Sequence, residues 1–316
     1  MISPRIVFMG TPEFAVASLN AIVEAGLQVV AVVTAPDKPA GRGLQLQESA
    51  VKKYAVAHQI PVLQPVKLKD PDFLQLLQSY QADLQIVVAF RMLPELVWNM
   101  PSMGTVNLHG SLLPQYRGAA PINWAVINGE KETGVTTFKL KHEIDTGDIL
   151  LQEKFSIAEN ETAGEVHDRM KMIGAELLVT TIKGLMEGDL KEKPQHNLVE
   201  DTGANLHHAP KLYTDTCKID FTKSKNTVHN LIRGLSPFPG AFTTLNGKTL
   251  KIFKAMRETD SVNSDASYQT DEKTYLKFRC ADGYISLLEI QLEGKKKMNI
   301  TDFLRGYHFA KEKGGN

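Results

Sequence analysis

Short, continuously apolar segments alternate with helix-patterned ones from Arg5 to Glu187, and this alternation constrains the chain more than any other feature. Arg5-Ile-Val-Phe-Met9 is one apolar run, ending at Gly10, and Leu27 to Thr34 is another. Strands apolar along their whole length belong to sheets covered on both faces, so the pair with its intervening helix reads as a parallel βαβ unit. Thr11 is expected to cap that helix and Pro12 to occupy its first turn. The same grammar predicts helices over 48–58, 70–80, 93–100, 119–128 and 163–187, with strands over 60–63, 84–90, 104–109, 134–140 and 149–157. The expected fold class is α/β, a doubly wound, mostly parallel sheet.

The pattern breaks at residue 189. Asp189 to Pro210 is polar, contains Pro194, Gly203 and three histidines, and is expected to be a linker. Beyond it a helix over 224–234 precedes hairpin signals. Asn246-Gly247 separates Phe242-Thr-Thr-Leu from Leu250-Lys-Ile-Phe, and Asp282-Gly283 separates Tyr275-Leu-Lys-Phe from Tyr284-Ile-Ser-Leu-Leu. Several short strands at this spacing predict a small C-terminal β-barrel. The expected layout is a first domain over 1–189, a linker over 190–208 and a barrel over 209–316.

Charge and cysteine content narrow the function classes. The 36 Lys and Arg balance 36 Asp and Glu, so no global charge argument for nucleic acid or membrane is available. From His208 onward, however, 18 basic residues face 12 acidic ones, a net of +6. Cys217 and Cys280 are too few for a disulfide scaffold. No apolar run approaches the ~18 residues of a membrane helix. The opening Met-Ile-Ser-Pro-Arg lacks a signal-peptide pattern, and a cytoplasmic protein is expected.

Nucleotide motifs are missing. Gly10-Thr-Pro-Glu13 after the first strand is not Gly-x-Gly-x-x-Gly, and no Gly-x-x-x-x-Gly-Lys-Ser/Thr occurs. The stretch Asn107-Leu-His-Gly-Ser-Leu-Leu-Pro-Gln-Tyr-Arg-Gly-Ala-Ala-Pro121 carries more information. Asn107 and His109 alternate at a strand end, so they share one face. Ligands in open α/β sheets bind beyond such ends. An amide donor beside a group that exchanges protons near neutral pH suits acyl transfer. Seen alone, such a pair more often merely caps the strand end. Asp145, in Glu143-Ile-Asp-Thr-Gly-Asp148, could orient His109 or close an Asx turn; sequence leaves both open.

Asn107-x-His109 with Ser-Leu-Leu-Pro-x-Tyr-Arg-Gly and then Asp145-Thr-Gly-Asp resembles the 10-formyltetrahydrofolate-dependent formyltransferases. Val7-Phe-Met-Gly-Thr-Pro-Glu-Phe14, Asp37-Lys-Pro-x-Gly-Arg-Gly43 and Pro237-Phe-Pro-Gly-Ala241 resemble the branch that formylates charged tRNA. The resemblance implies a Rossmann-type formyltransferase domain followed by an OB-like barrel. It implies formyl transfer from 10-formyltetrahydrofolate to the α-amine of methionyl initiator tRNA, for translation initiation, by a monomer that needs no metal. Asn107, His109 and Asp145 would be catalytic. Ser111, Leu112, Leu113 and Pro114 would line the folate site, with Phe90 and Arg91 near the pterin. The family commonly has Ala-Tyr-Gly where this chain has Ala89-Phe-Arg91, which bears on the pterin pocket. Lys38 and Arg42 would meet the acceptor end of the tRNA, and Lys248, Lys251, Lys254 and Lys295 to Lys297 its backbone. Two alternatives share some of these features: a formyltransferase acting on an amino sugar nucleotide, and a non-catalytic RNA-binding protein with a degenerate transferase domain.

Overall fold

A computed structural model of the chain describes residues 3–40, 45–202, 205–259 and 264–309. The backbone forms two compact units. The first comprises Met1–Gly118, Thr133–Phe155 and His167–His208; the second comprises Ala119–Glu132, Ser156–Val166 and Ala209–Asn316.

The chain opens with β1 (Ile6–Gly10), α1 (Glu13–Glu24), β2 (Val29–Val33), β3 (Lys38–Ala40) and β4 (Gln45–Gln47). There follow α2 (Ala50–Ala57), β5 (Val62–Leu63), α3 (Pro71–Ser79), β6 (Leu84–Val88), α4 (Glu95–Trp98), β7 (Thr105–His109) and β8 (Arg117–Gly118). After α5 (Pro121–Ile127) come β9 (Glu132–Lys139), β10 (Ile149–Ser156), α6 (Ala163–Glu187), α7 (Gln195–Thr202) and β11 (His208–Ala209).

Seven strands of the first unit form one sheet in the order β10-β9-β7-β6-β1-β2-β5. β5, β2, β1, β6 and β7 run parallel, and β9 is antiparallel to β7. The reason is legible in β1, where Ile6, Val7, Phe8 and Met9 are all 0% exposed, as both faces of a central strand require. The chain leaves β1 to one side for β2 and β5, then returns to its other side for β6 and β7. In open α/β sheets ligands bind at such a reversal, here the carboxyl ends of β1 and β6.

Side-chain caps place some of the helix starts. Ser49 Oγ accepts from Lys52 N at 3.0 Å to begin α2, and Asp70 Oδ1 accepts from Asp72 N at 3.0 Å to begin α3. Thr11 does not cap α1. Extended Pro12 takes the N-cap position and makes no side-chain cap bond, which leaves Thr11 one residue too far upstream. Two stretches without a strand or helix signal are also structured. β3 and β4 pair as an antiparallel ribbon, and α7 forms within the polar 190–208 stretch.

The second unit continues with α8 (Thr214–Cys217), α9 (Lys225–Gly234), β12 (Ala241–Leu245), β13 (Lys248–Arg257) and β14 (Tyr268–Thr270). β15 (Leu276–Cys280), β16 (Gly283–Leu292), β17 (Met298–Asn299) and α10 (Ile300–Arg305) complete it. Its sheet has the order β12-β13-β16-β15-β14, with β17 beside β16. Asn246 and Gly247 have φ of 47° and 77°, the left-handed pair that a tight two-residue hairpin needs between β12 and β13. Leu250, Ile252, Leu287 and Ile290 line the inner face and pack with Val228 and Ile232 of α9. The expected barrel is an open half-barrel: its end strands β12 and β14 do not pair with each other.

Candidate active site

β7 delivers Asn107 and His109 to the carboxyl edge of the sheet on one face. Their register across β9 sets Asn107 opposite Phe138 and His109 opposite Thr136. The His109 ring is 7% exposed, edge-on to Phe138 at 6.5 Å between centroids. Asn107 is only half-buried, and among the described residues its amide has no hydrogen-bond partner. A free amide at a strand end is available to a ligand oxygen.

The tautomer of His109 follows from its partners. Nε2 lies 2.9 Å from the Tyr116 carbonyl oxygen, which can only accept, so Nε2 carries the hydrogen. Nδ1 therefore holds the lone pair in the neutral ring. Asp145 Oδ2 stands 3.9 Å from that Nδ1, too far for a hydrogen bond but close enough to attract the ring once protonated.

Asp145 reaches this position through its loop. Its backbone is left-handed, φ 54°, and its Oδ2 accepts from Gly118 N–H at 3.0 Å. Gly147 is required two residues later, since a Cβ there would lie 1.6 Å from the Lys139 carbonyl oxygen. Gln195 at the start of α7 secures the loop from below. Its Nε2 donates to the carbonyls of Asp145 (2.9 Å) and Gly147 (2.8 Å). Its Oε1 accepts from Arg117 Nε (3.0 Å) and from a second Arg117 nitrogen (2.6 Å). Burial lowers the Arg117 pKa, and Asp145 and Glu143 oppose that shift. Sequence reasoning missed Gln195 because it lies in a polar stretch read as a linker. Only its 2% exposure distinguishes it from the surface residues around it.

The segment Ser111, Leu112, Leu113 and Pro114 is held against β9 and β10. Thr136 Oγ1 donates to Ser111 O (2.6 Å) and accepts from Leu113 N (3.1 Å). Gln152 Nε2 donates to Leu113 O at 2.9 Å. Ser111 and Leu113 are buried, whereas Leu112 and Pro114 are partly exposed. Phe90 packs partly buried on the core beneath β6. Arg91 does not project freely: its guanidinium donates to the carbonyls of Val66 (2.9 Å) and Pro65, and lies 5.5 Å over the Phe90 ring. Met92 and Leu96 after β6 and Ile144 beside Asp145 are 72%, 63% and 60% exposed. A His142–Glu95 contact of 3.6 Å links the loop of Ile144 to the start of α4. Three large apolar side chains left in water at one sheet edge fit an organic co-substrate with an aromatic body.

Lys38 is exposed on β3, and Arg42 lies outside the described residues. In the second unit Lys248, Lys254, Lys295 and Lys296 are exposed. Lys251 donates to Pro239 O at 2.9 Å, and Lys297 pairs with Glu289 at 2.8 Å.

Comparison with known proteins matches two family regions. The Formyl transferase family matches residues 4–182, and the Formyl transferase C-terminal domain matches residues 211–308. A protein of Bacteroides fragilis named methionyl-tRNA formyltransferase is 50% identical over 313 residues, covering 97% of this chain and 96% of its own. Its namesake in Parabacteroides distasonis is 54% identical over 310 residues, covering 96% and 95%. Among solved structures, the sugar 3N-formyl transferase WlaRD superposes with a TM-score of 0.67 at 21% identity, covering 94% of this chain and 100% of that one. HypX from Aquifex aeolicus in complex with tetrahydrofolic acid gives 0.65 at 19%, covering 98% of this chain and 49% of that one. No helix among the described residues is long and apolar enough to cross a membrane.

Proposed function

Because the chain belongs to the formyl transferase family, we infer that it transfers the formyl group of 10-formyltetrahydrofolate to the α-amine of methionyl initiator tRNA. The products are N-formylmethionyl-tRNA, which initiates translation, and tetrahydrofolate. The observation that carries this reading is identity near one half, over nearly the full length, to proteins named for that reaction. The chain works as a monomer in the cytoplasm, where charged tRNA is found.

The chemistry needs an uncharged amine, an electrophile held in line and a place for the oxyanion. An α-amine titrates at roughly 7.7–8.0, and esterification lowers that, so a modest base suffices. The amine nitrogen attacks the formyl carbon, forming the new C–N bond as the carbonyl oxygen takes up negative charge. The unpartnered Asn107 amide donates to that oxygen. His109 Nδ1 takes the proton from the attacking nitrogen, and Asp145 steadies the resulting imidazolium from 3.9 Å. Collapse breaks the bond to N10 of the folate, and the Nδ1 proton moves to that leaving nitrogen. One proton passes from acceptor to donor, and His109 ends as it began.

The residues at the sheet edge fit the folate: Leu112, Pro114, Phe90 and the exposed Met92 and Ile144 offer apolar contact. The family's Gly position carries Arg91 here, and because its guanidinium turns onto the Pro65 and Val66 carbonyls it leaves the pterin side open. Residues 1–189 serve as the catalytic domain and 209–316 as the tRNA-binding domain. Lys38 and Arg42 meet the acceptor end, and the exposed C-terminal lysines meet the phosphates. The test is formylation of charged initiator tRNA with 10-formyltetrahydrofolate, using uncharged tRNA and amino sugar nucleotides as controls. Formylation of a sugar in place of the tRNA would overturn the reading.

A further inference from the structure

The ribbon β3–β4 pairs Lys38 with Gln47, Pro39 with Leu46 and Ala40 with Gln45. A two-stranded ribbon this short does not hold its own direction in water. Its direction is set at its base. Asp37 immediately precedes β3 and Glu48 immediately follows β4. Lys52, on the first turn of α2, places Nζ in contact with Asp37 Oδ2 and 3.0 Å from Glu48 Oε1. One ammonium thus ties the two feet of the ribbon to each other and to a helix of the main sheet domain.

Two further bonds make this base rigid. Gln64 Nε2 donates to Asp37 Oδ1 (2.8 Å) and to Ala35 O (2.9 Å), so the residue that follows β5 also holds the first foot. The Ser49 and Thr34 hydroxyls lie 2.7 Å apart, which joins the start of α2 to the end of β2. The side chains of Lys52 and Asp37 are 18% and 20% exposed, well sheltered for an ion pair. The hydrogen bond from Lys52, then that from Gln64, holds the Asp37 carboxyl below its usual range. Asp37, then Glu48, pushes the Lys52 ammonium up. Helix energetics alone disfavours this arrangement. The first turn of a helix prefers an acid, and the third position after a Ser cap prefers Glu or Gln, yet a lysine stands there.

We infer that Lys52, gripping Asp37 and Glu48, is a positioning residue that aims the β3–β4 ribbon at the acceptor end of methionyl-tRNA. The inference rests on the function proposed above. Lys52 touches neither substrate; it acts through the ribbon.

The test is steady-state formylation by the full-length protein, varying each substrate in turn. Lys52→Met raises KM for methionyl-tRNA about tenfold, the scale of one lost charge-assisted pair, and leaves kcat and KM for 10-formyltetrahydrofolate unchanged. Lys52→Arg keeps both feet tied and restores KM to within about threefold of wild type. A folded Lys52→Met protein with unchanged KM for tRNA overturns the inference, and so does an equal rise in both KM values. Should Lys52→Met fail to fold, Asp37→Asn and Glu48→Gln each free one foot while keeping the lysine. Each then raises KM for tRNA alone, and no rise in either overturns the inference. Wild-type protein that formylates no tRNA would refute the proposed function instead, so the two failures are distinguishable.

Discussion

Gln195 offers the sharpest perturbation of the site because it touches no substrate and makes four hydrogen bonds. Gln195→Ala leaves the carbonyls of Asp145 and Gly147 and the Arg117 guanidinium without this partner. Each orphaned group, buried at Gly147 and part-buried at Asp145 and Arg117, costs about 1 kcal/mol, so up to roughly 3 kcal/mol is at stake if nothing relaxes. The loop relieves that cost by moving, and what moves is Asp145, whose left-handed backbone is held only by its surroundings. At about 1.4 kcal/mol per tenfold, the expected loss is about a hundredfold in kcat. Gln195→Glu separates position from bulk. It keeps the size and the Arg117 contact, but it cannot donate to two carbonyls and it presents negative charge to them. It should therefore fall as far as Gln195→Ala. The assay is single-turnover formylation at saturating folate and methionyl-tRNA, with melting curves to establish that each variant is folded. Gln195→Glu retaining kcat to within about threefold would refute the reasoning.

Other expectations are independent of this one. Asn107→Ala and His109→Ala should each lose ~10²–10³ in kcat while tRNA affinity, measured by filter binding, survives; near-normal turnover removes that residue from the mechanism. His229 of α9 is 2% exposed, and burial, with Arg257 and Arg233 nearby, lowers its pKa from 6.5 to about 4. The unfolded chain therefore binds the extra proton first. Stability is intact above pH 6.5 and falls as pH drops toward 4, by about 3 kcal/mol over the full window. Denaturant titrations between pH 7 and 5 should show this slope in wild type and lose it in a folded His229→Phe variant. Affinity for tRNA should fall steeply between 50 mM and 200 mM salt, and a flat response would argue against lysine contacts to phosphate.

Much of the architecture was legible because its causes are local. Continuous apolar runs announced the parallel strands, Asp70 announced a helix start, and Asn246-Gly247 announced a hairpin. The pairing of Asn107 with His109 needed only strand alternation. The approach of Asp145 to His109 was not legible, since β9 ends beside Val106 and the loop after it must fold back, held by Gly118 and Gln195. Gln195 was hidden for the same reason: its partners are 48, 50 and 78 residues away. Thr11 looked like a cap because the residue type fits, but the fixed ring of Pro12 claimed the position. The barrel prediction counted strands correctly in kind but could not reveal that the last pairing never closes.

The strand order also has a consequence for how the chain is made. β1 leaves the ribosome first, yet one of its two neighbours, β6, begins 78 residues later, at Leu84. At about 5–20 residues per second, roughly 4–16 s pass in which this fully buried strand has only β2 to lean on. During that interval an unpaired edge of Ile, Val, Phe and Met is exposed to other nascent chains. Slow codons or a missing chaperone upstream of residue 88 should therefore harm yield more than the same insult placed after it.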